Sequence, residues 1–366
     1  MSDSEGMPLS YRLGARDRRV ARSRVSGSPI QRSLERFRAQ VRRRAHEGVG
    51  GVFLQALSAG AKLHPLADPA KHNVEVIRDI PYLDDPSPDH HLDIYRPTVR
   101  RGPHPIVLYV HGGGFSLLSK ETHWVMALIF ARYGYLVFNI SYRLAPKHPY
   151  PAAIADTCAA YEWMIRNAER YGGDLSRVIV AGESAGANLV TSLSIATCYQ
   201  RPEPWARRVF DLDVVPLCTL PACGIFQVTD TERFWRHRKL PAIVRMVLGD
   251  VSGSYLRGLA VEPGEHDLVD PLLLFERGQQ PDRPLPAFFI PVGTRDPVLD
   301  DTRRLKRALD RMGARAEARY YSKEIHAFHA MIWRKPARQL WADQFAFLER
   351  NIPHAPTLSD RDESVA

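Results

Sequence analysis

From residue 73 onwards, short apolar runs alternate with segments whose apolar residues recur at helical spacing. Runs rich in Val, Ile, Leu, Phe and Tyr are typical of strands, and a continuous apolar run indicates a strand that is covered on both faces of its sheet. The pattern predicts strands near residues 75–79, 91–95, 106–110, 135–140, 178–181, 287–292 and 317–321. Strands that alternate with helices in this way predict an α/β fold, with a mostly parallel central sheet flanked by helices.

The alternation breaks down between about residues 221 and 270, a segment that is rich in Trp, Arg and Gly. We interpret this segment as a partly helical insertion that forms a helical cap over one end of the sheet, together with part of residues 1–72. The predicted organisation is therefore a basic N-terminal arm at 1–72, the α/β domain at 73–350 and a flexible tail at 351–366.

Net charge is concentrated in the N-terminal arm. Residues 1–50 contain 12 arginines and no lysine against five acidic residues, a net charge of +7, so residues 51–366 carry only +2 of the total of +9. Within the arm, Ile30, Leu34, Phe37 and Val41 fall on one helical face. Two interpretations stay open: the stripe packs on the body of the protein, or the arm contacts an anionic membrane surface. Nucleic-acid binding is not expected, because the arm lacks interleaved aromatic residues and any recognised motif.

No apolar segment resembles a signal peptide, and no run reaches the roughly 18 apolar residues that a membrane span needs. Four cysteines in a chain of 366 residues do not form a disulfide framework. We therefore expect a cytoplasmic protein, with peripheral membrane association through the arm as an open alternative. A zinc site at Cys218 and Cys223 is not predicted, because no pair of histidines adjoins them.

The stretch RVIVAGESAGANL leads from a predicted strand into a helical pattern and contains Gly182-Glu183-Ser184-Ala185-Gly186. A G-x-S-x-G sequence between a strand and a helix is typical of a nucleophile elbow, a tight turn that holds the serine at a strained backbone angle and presents its hydroxyl. A Cβ at either glycine would collide with a neighbouring strand or helix. Ser184 is therefore the predicted nucleophile.

A serine nucleophile needs a histidine base and a carboxylate that orients the base, in the chain order Ser, Asp, His. The sequence GTRDPVLDD follows the predicted strand at 287–292, and SKEIHAFHAMIW follows the strand at 317–321. Active sites of parallel sheets gather at these carboxyl ends. Asp296 is the predicted acid and His326 the predicted base, because each comes soonest after its strand.

Several other residues compete for the roles of acid and base. Asp300 and Asp301 are interpreted as N-cap acceptors of the following helix. His329 is expected to lie three residues into a helix. The remaining histidines, including His104, His123 and His148, are expected at surface or loop positions.

The sequence HGGG at residues 111–114 follows the predicted strand at 106–110 directly. When a serine attacks an ester carbonyl, the developing oxyanion needs N–H donors about 3 Å away, and side chains would obstruct that approach. We therefore predict an oxyanion hole formed by the N–H groups of Gly112, Gly113, Gly114 and Ala185. His111 is expected to anchor the loop by hydrogen bonding.

Taken together, five motifs resemble the bacterial hormone-sensitive lipase family of α/β-hydrolases over about residues 73–350. They are HGGG at 111–114, YRLAPKHPYPAAIAD at 142–156, GESAG at 182–186, DPVLDD at 296–301 and HAF at 326–328. The resemblance implies the same triad, an oxyanion site around Gly112, Gly113 and Ala185, and carboxylic ester substrates with short to medium acyl chains. Glu183 and Ala327 stand where the family more commonly has Asp and Gly.

The predicted function is that of a serine carboxylesterase or lipase that acts on a small-molecule ester through an acyl-enzyme, without a metal or other cofactor. An amidase or lactonase with the same triad is one alternative, and a binding protein that acts through the arginine-rich arm is another. Phe115 and Trp124 are candidates for an apolar acyl pocket, although core packing would explain each of them equally well.

Overall fold

The computed structural model describes residues 67–99, 103–236, 239–259 and 266–353. Eight strands form a single sheet in this part of the chain, in the order β1-β2-β4-β3-β5-β6-β7-β8. Their bounds are β1 Val74–Pro81, β2 His91–Pro97, β3 His104–Val110, β4 Leu136–Ile140, β5 Gly173–Glu183, β6 Cys218–Ala222, β7 Ala287–Gly293 and β8 Ala316–Tyr321. The pairs β1–β2 and β2–β4 are antiparallel, and every later pair is parallel.

Helices in the described residues connect these strands. Their bounds are α1 Trp124–Arg132, α2 Ala152–Asn167, α3 Ala185–Cys198, α4 Pro204–Asp211, α5 Arg233–Arg236, α6 Ala242–Tyr255, α7 Pro271–Glu276, α8 Leu299–Arg311 and α9 Lys335–Asn351. Short 3₁₀ turns lie at Pro69–His72, Pro88–His90, Ala168–Tyr171 and Phe328–Ala330. Among these residues, none of the helices has the length and apolar character that a bilayer crossing requires.

The inner strands of the sheet, such as β4, β6 and β7, are buried on both faces, as is typical of a parallel sheet covered by helices. One core cluster joins strand residues such as Val107 and Phe289 to α1 and to Trp341 and Phe345 of α9. A larger cluster packs the opposite face against α2, α3 and α8. The predicted fold class is therefore confirmed: helices cover both sides of a mostly parallel sheet.

The register of the sheet determines which loops meet. Val110, the last residue of β3, pairs with Gly182 near the end of β5. At the other side of the site, Gly293 of β7 pairs with Tyr321, the last residue of β8. Consequently the HGGG loop leaves the sheet beside the GESAG turn, and the loops that carry the predicted acid and base leave it beside each other.

The sequence pattern missed one strand, β6, which is buried along its whole length. Its five residues, Cys218–Ala222, include Thr219 and Pro221 and have no long apolar run to mark them. The predicted cap insertion at 221–270 therefore begins two residues inside the sheet. The described part of that insertion contains α5 and α6. The rest of the predicted cap, at 1–66, and the predicted tail from 354 onwards lie outside the described residues.

Candidate active site

Ser184 lies in the turn between β5 and α3, at φ 54° and ψ −115°. A non-glycine residue at such a positive φ is strained, and this strain is typical of a nucleophile elbow. The turn can form because Gly186 has no side chain, since a Cβ there would lie 2.1 Å from the carbonyl oxygen of Val110. The backbone of β3 therefore approaches the first turn of α3 closely and fixes the position of Ser184.

Three side chains from the ends of β5, β7 and β8 meet in a hydrogen-bonded row. The Oγ of Ser184 lies 2.9 Å from Nε2 of His326. On the other side of the imidazole ring, Nδ1 lies 2.9 Å from Oδ2 and 3.0 Å from Oδ1 of Asp296. The structure thus brings together the predicted nucleophile, base and acid, which sequence separates by up to 142 residues.

Asp296 is fully buried, and its Oδ1 also accepts a hydrogen bond from the backbone N–H of Val298 at 2.9 Å. His326 is partly exposed, with 36% of its side-chain surface accessible. Desolvation disfavours the charged imidazolium, but Asp296, and more weakly Glu183, outweigh it and raise the pKa of His326. The ring is therefore placed to take a proton and to hold the resulting charge.

The HGGG loop adopts a conformation that only glycine tolerates well. Gly113 has a φ of +108° and Gly114 a φ of +59°. His111 is buried and stacks on Tyr142 with ring centroids 4.1 Å apart, and its Nδ1 lies 2.7 Å from the carbonyl oxygen of Gly112. The loop is thus anchored through His111, as expected from the sequence.

The N–H groups of Gly112, Gly113 and Gly114 have no hydrogen-bond acceptor among the described residues. Ala185 is the first residue of α3, a position whose N–H has no partner within its own helix. Of these four residues, Gly114 lines the same cavity as Ser184 and His326. Gly114 therefore shares the cavity of Ser184, and the other three residues lie within two positions of Gly114 or Ser184 along the chain.

A cavity of about 250 Å³ opens above Ser184 and His326. One face of α6 forms much of its wall, and the remaining apolar lining comes from the loops that follow β6 and β7. Its lining residues are Gly114, Ser184, Ile225, Ile243, Val244, Val247, Leu248, Val251, Pro297, Val298 and His326. Apart from Ser184 and His326 the wall is apolar, so it suits an uncharged, apolar group.

Phe115 and Trp124, the two residues suggested for an acyl pocket, do not appear among the described residues that line this cavity. Phe115 is fully buried and stacks on Tyr255 of α6, with ring centroids 3.8 Å apart. Trp124 is the first residue of α1 and belongs to the core cluster that also contains Val107 and Phe289. Here the alternative interpretation, core packing, describes both residues.

Comparison with known proteins agrees with this architecture. Residues 107–330 match the family model for the alpha/beta hydrolase fold, and this segment contains all three side chains of the Ser184–His326–Asp296 row. The chain belongs to the α/β-hydrolase family.

Curated relatives of this hydrolase carry esterase names. Carboxylesterase NlhH of Mycobacterium tuberculosis is 32% identical over 236 residues, which cover 64% of this chain and 70% of the relative. An acetyl esterase of Salmonella schwarzengrund is 29% identical over 226 residues, covering 61% of this chain and 65% of the relative. The predicted membership of the α/β-hydrolases is confirmed by the family model, and the names of these relatives agree with the predicted ester hydrolase.

Solved structures share the same fold with the hydrolase. Esterase LipW from Mycobacterium marinum superposes with a TM-score of 0.63 at 24% identity, covering 87% of this chain and 88% of that one. An esterase described as a member of the bacterial hormone-sensitive lipase family gives a TM-score of 0.64 at 24% identity, with 90% and 100% coverage. At this level of identity the likeness is one of fold.

The hydrolase holds a second buried carboxylate beside the nucleophile, which the sequence analysis did not assign to the site. Oε1 of Glu183 lies 2.7 Å from Nε2 of His123, and Oε2 lies 2.7 Å from Nε2 of His329. Burial alone would raise the pKa of Glu183, but His123 and then His329 hold it well below its usual value. Glu183 is therefore an anion that connects the segment after the HGGG loop to the segment after His326.

Two histidine assignments made from sequence change with the structure, those of His104 and His329. His104 is buried at the beginning of β3, so its expected surface or loop position is wrong. His123 is also buried, but it lies in the loop that precedes α1, as expected. His148 lies in a turn, as expected. His329 lies in a 3₁₀ turn against Glu183, so it is His326 that faces the hydroxyl of Ser184. Contacts between distant segments decide these positions, and the local pattern does not contain them.

Asp301 does not act as the helix cap that the sequence suggested. Helix α8 begins at Leu299 after Val298, with no side chain bonded to its N-terminus. The carboxylate of Asp301 is fully buried and accepts the N–H of Phe226 at 2.8 Å and the guanidinium of Arg233 at 2.6 Å. Asp301 therefore ties the beginning of the insertion to α8. Asp300 is exposed and contacts Arg303.

Proposed function

We propose that this protein, a carboxylic ester hydrolase, acts as a serine carboxylesterase through Ser184, His326 and Asp296. The contact of 2.9 Å between Oγ of Ser184 and Nε2 of His326 is the observation that supports this most directly. A serine hydroxyl is a weak nucleophile until a base within hydrogen-bond reach removes its proton. His326 occupies that place, and Asp296 favours the tautomer that leaves Nε2 free to accept.

In the first half of the reaction, Oγ of Ser184 attacks the ester carbonyl carbon while Nε2 of His326 takes the hydroxyl proton. The buried carboxylate of Asp296 stabilises the imidazolium that results. We assign the oxyanion site to the N–H groups of Gly112, Gly113, Gly114 and Ala185. Collapse of the tetrahedral intermediate breaks the bond to the alcohol, which leaves with the proton from His326.

The second half repeats these steps with water as the nucleophile. His326 removes a proton from water, the hydroxide attacks the acyl-enzyme, and the carboxylic acid leaves as Oγ of Ser184 recovers its proton. The residues of this chain account for each proton transfer, so the proposed mechanism calls for no cofactor.

The cavity supports a preference for short to medium acyl chains. Its volume of about 250 Å³ is smaller than the volume of a typical ligand pocket, which is about 300 to 1,000 Å³. Its apolar wall contributes no charged group that would stabilise a charged acyl chain. We therefore expect butyrate or hexanoate esters to be better substrates than palmitate esters.

The test is hydrolysis of p-nitrophenyl esters from acetate to palmitate by the full-length protein. Ser184→Ala should lower turnover by about 10⁶-fold if the serine acts as the nucleophile. Ser176→Ala is the matched control, because this exposed serine lies outside the cavity lining and its hydroxyl donates to Asp174. Wild-type turnover by Ser184→Ala would exclude the mechanism, and a rate that rises steadily up to palmitate would exclude the proposed chain-length preference.

A cytoplasmic location is part of the same proposal. Its support is that all four cysteines are free and buried, as is usual in a reducing compartment. The arginine-rich arm proposed to contact anionic membranes lies outside the described residues. Fractionation of cells that produce the protein, with and without a high-salt wash, would distinguish a cytoplasmic enzyme from one held on the membrane by charge.

A further inference from the structure

Cys223 lies beside the proposed acid and base without a role in the proposed mechanism. It follows the last residue of β6, has a φ of 41° and is 3% exposed. Its sulfur, a carboxylate oxygen of Asp296 and a ring nitrogen of His326 all lie within 4.8 Å of one another. Thiolate sulfur, imidazole nitrogen and carboxylate oxygen are the three ligand types that bind Zn²⁺ in proteins.

Cys223 can bind a cation only as the thiolate, so its thiol has to give up its proton on binding. A divalent cation bound to sulfur deprotonates a thiol outright, and the proton goes to solvent.

A cation at this position would interfere with the base whichever ring nitrogen it used. Bound to Nε2, it would block the nitrogen that lies 2.9 Å from Oγ of Ser184. Bound to Nδ1, it would replace the contact to Asp296 and leave the ring proton on Nε2, which could then accept none from Ser184. The partly exposed His326 ring borders the cavity, which offers a route for entry.

Among the described residues, a second group of possible metal ligands already holds the positive charge of a lysine. Oxygens of Asp79, Asp93 and Glu121 also lie within 4.8 Å of one another. The ammonium group of the buried Lys120 already lies 2.7–2.8 Å from each of the three carboxylates. The ammonium group of Lys120 therefore already occupies the position between these carboxylates that a metal ion would take.

We propose that Cys223, Asp296 and His326 form a binding site for a thiophilic divalent cation such as Zn²⁺ or Cd²⁺, and that its occupancy inhibits the enzyme reversibly. The inhibition half of this inference rests on the proposed function of His326, whereas the binding half does not. Mg²⁺ prefers oxygen ligands and should neither bind at this site nor inhibit.

The experiment titrates the full-length protein, first stripped with EDTA, with ZnCl₂, CdCl₂ or MgCl₂ while p-nitrophenyl butyrate hydrolysis is measured. We expect inhibition by Zn²⁺ and Cd²⁺, none by Mg²⁺, and recovery on adding EDTA. For half-inhibition, Cys223→Ala should need a concentration of Zn²⁺ or Cd²⁺ that is higher by at least about 10- to 100-fold, because even the loss of a residue that only supports a metal ligand weakens binding by that factor. Cys218→Ala is the matched control, since that thiol is also buried but belongs to no such cluster.

A second readout does not depend on activity. Cd²⁺ bound to thiolate gives an ultraviolet charge-transfer band, which we expect in the wild type and in Ser184→Ala and not in Cys223→Ala. Because Ser184→Ala keeps all three ligands, its band tests the binding half even if the proposed mechanism fails or Cys223→Ala folds poorly. Absence of the band from the wild type, or equal inhibition of the wild type and a folded Cys223→Ala, would overturn the proposal.

Discussion

The role of Asp296 can be tested by the smallest change that removes its charge, Asp296→Asn. The hydrogen-bond donors to this carboxylate include the N–H of Val298, 2.9 Å from Oδ1, and Nδ1 of His326, 2.9 Å from Oδ2. Asparagine has only one side-chain oxygen to offer them. If the NH₂ group faced Val298, two buried donors would oppose each other, at a cost of about 1–3 kcal/mol.

The oxygen of the asparagine should therefore stay with Val298, and its NH₂ group should donate to Nδ1 of His326. Nδ1 must then be unprotonated, so the ring proton moves to Nε2, and Nε2 can no longer accept the proton of Ser184. The same exchange of tautomer lowers turnover by about 10⁴-fold in a serine protease. A loss of that size corresponds to about 5 kcal/mol of transition-state stabilisation.

The assay compares kcat and KM for p-nitrophenyl butyrate, with thermal unfolding to verify the fold. We expect kcat to fall by about 10⁴-fold with little change in KM, because Asp296 is buried beneath the cavity and does not line it. Asp300→Asn makes the same chemical change four residues away, at a side chain that is 63% exposed, and should leave kcat unchanged. A loss below tenfold in Asp296→Asn, or an equal loss in Asp300→Asn, would refute the reasoning.

Two further predictions concern the glycine loop and a buried histidine. A Cβ on Gly114 (φ +59°) would lie 2.7 Å from Cγ2 of Val251. Gly114→Ala should therefore displace the loop beside Ser184 and lower kcat/KM at least about tenfold, a smaller effect than the roughly 10²- to 10³-fold cost of losing one oxyanion donor. Adding Val251→Ala should recover part of the lost activity, and failure to recover any would contradict the clash. Gly313→Ala is the control and should keep full kcat/KM, because Gly313 also has a positive φ (+70°) but has open space around it. Burial opposes a positive charge on His90, but Asp156 outweighs burial and raises the pKa of His90. The pairing of the two side chains therefore stabilises the folded protein fully below about pH 6.5, and this stabilisation is lost as the pH rises through the raised pKa. In urea unfolding, His90→Gln should cost more free energy at about pH 6 than at about pH 9, and equal costs would contradict the pairing.

Sequence was sufficient for the row Ser184–His326–Asp296 because each of these residues lies three to five residues after the end of a predicted strand. In a mostly parallel sheet the carboxyl ends of the strands share one edge, so residues far apart in sequence are brought to one place. The elbow was equally readable, because its glycines answer a local steric demand. Predictions of this kind depend on short segments and on one rule of topology.

Other features depend on contacts that no local pattern contains. Strand β6 is short, and its burial comes from its neighbours in the sheet and not from a long apolar run. Glu183 meets His123, 60 residues away, so neither residue signals the other along the chain. The motif comparison did mark Glu183 as a departure from the commoner Asp. For Phe115 and Trp124, hydrophobicity is compatible with both a pocket wall and a core.

The position of His326 is fixed by two carboxylates that act on different parts of its loop. Asp296 contacts the ring itself, whereas Glu183 contacts His329, three residues further along. Ala327 between them has a φ of 53°, so the loop turns sharply after the histidine and returns to the core at Phe328. Since Glu183 directly precedes Ser184 in the chain, the same strand end that presents the hydroxyl also holds the loop that presents the imidazole. The distance between Oγ of Ser184 and Nε2 of His326 is therefore set over a short path of buried contacts and not by the helices around the sheet.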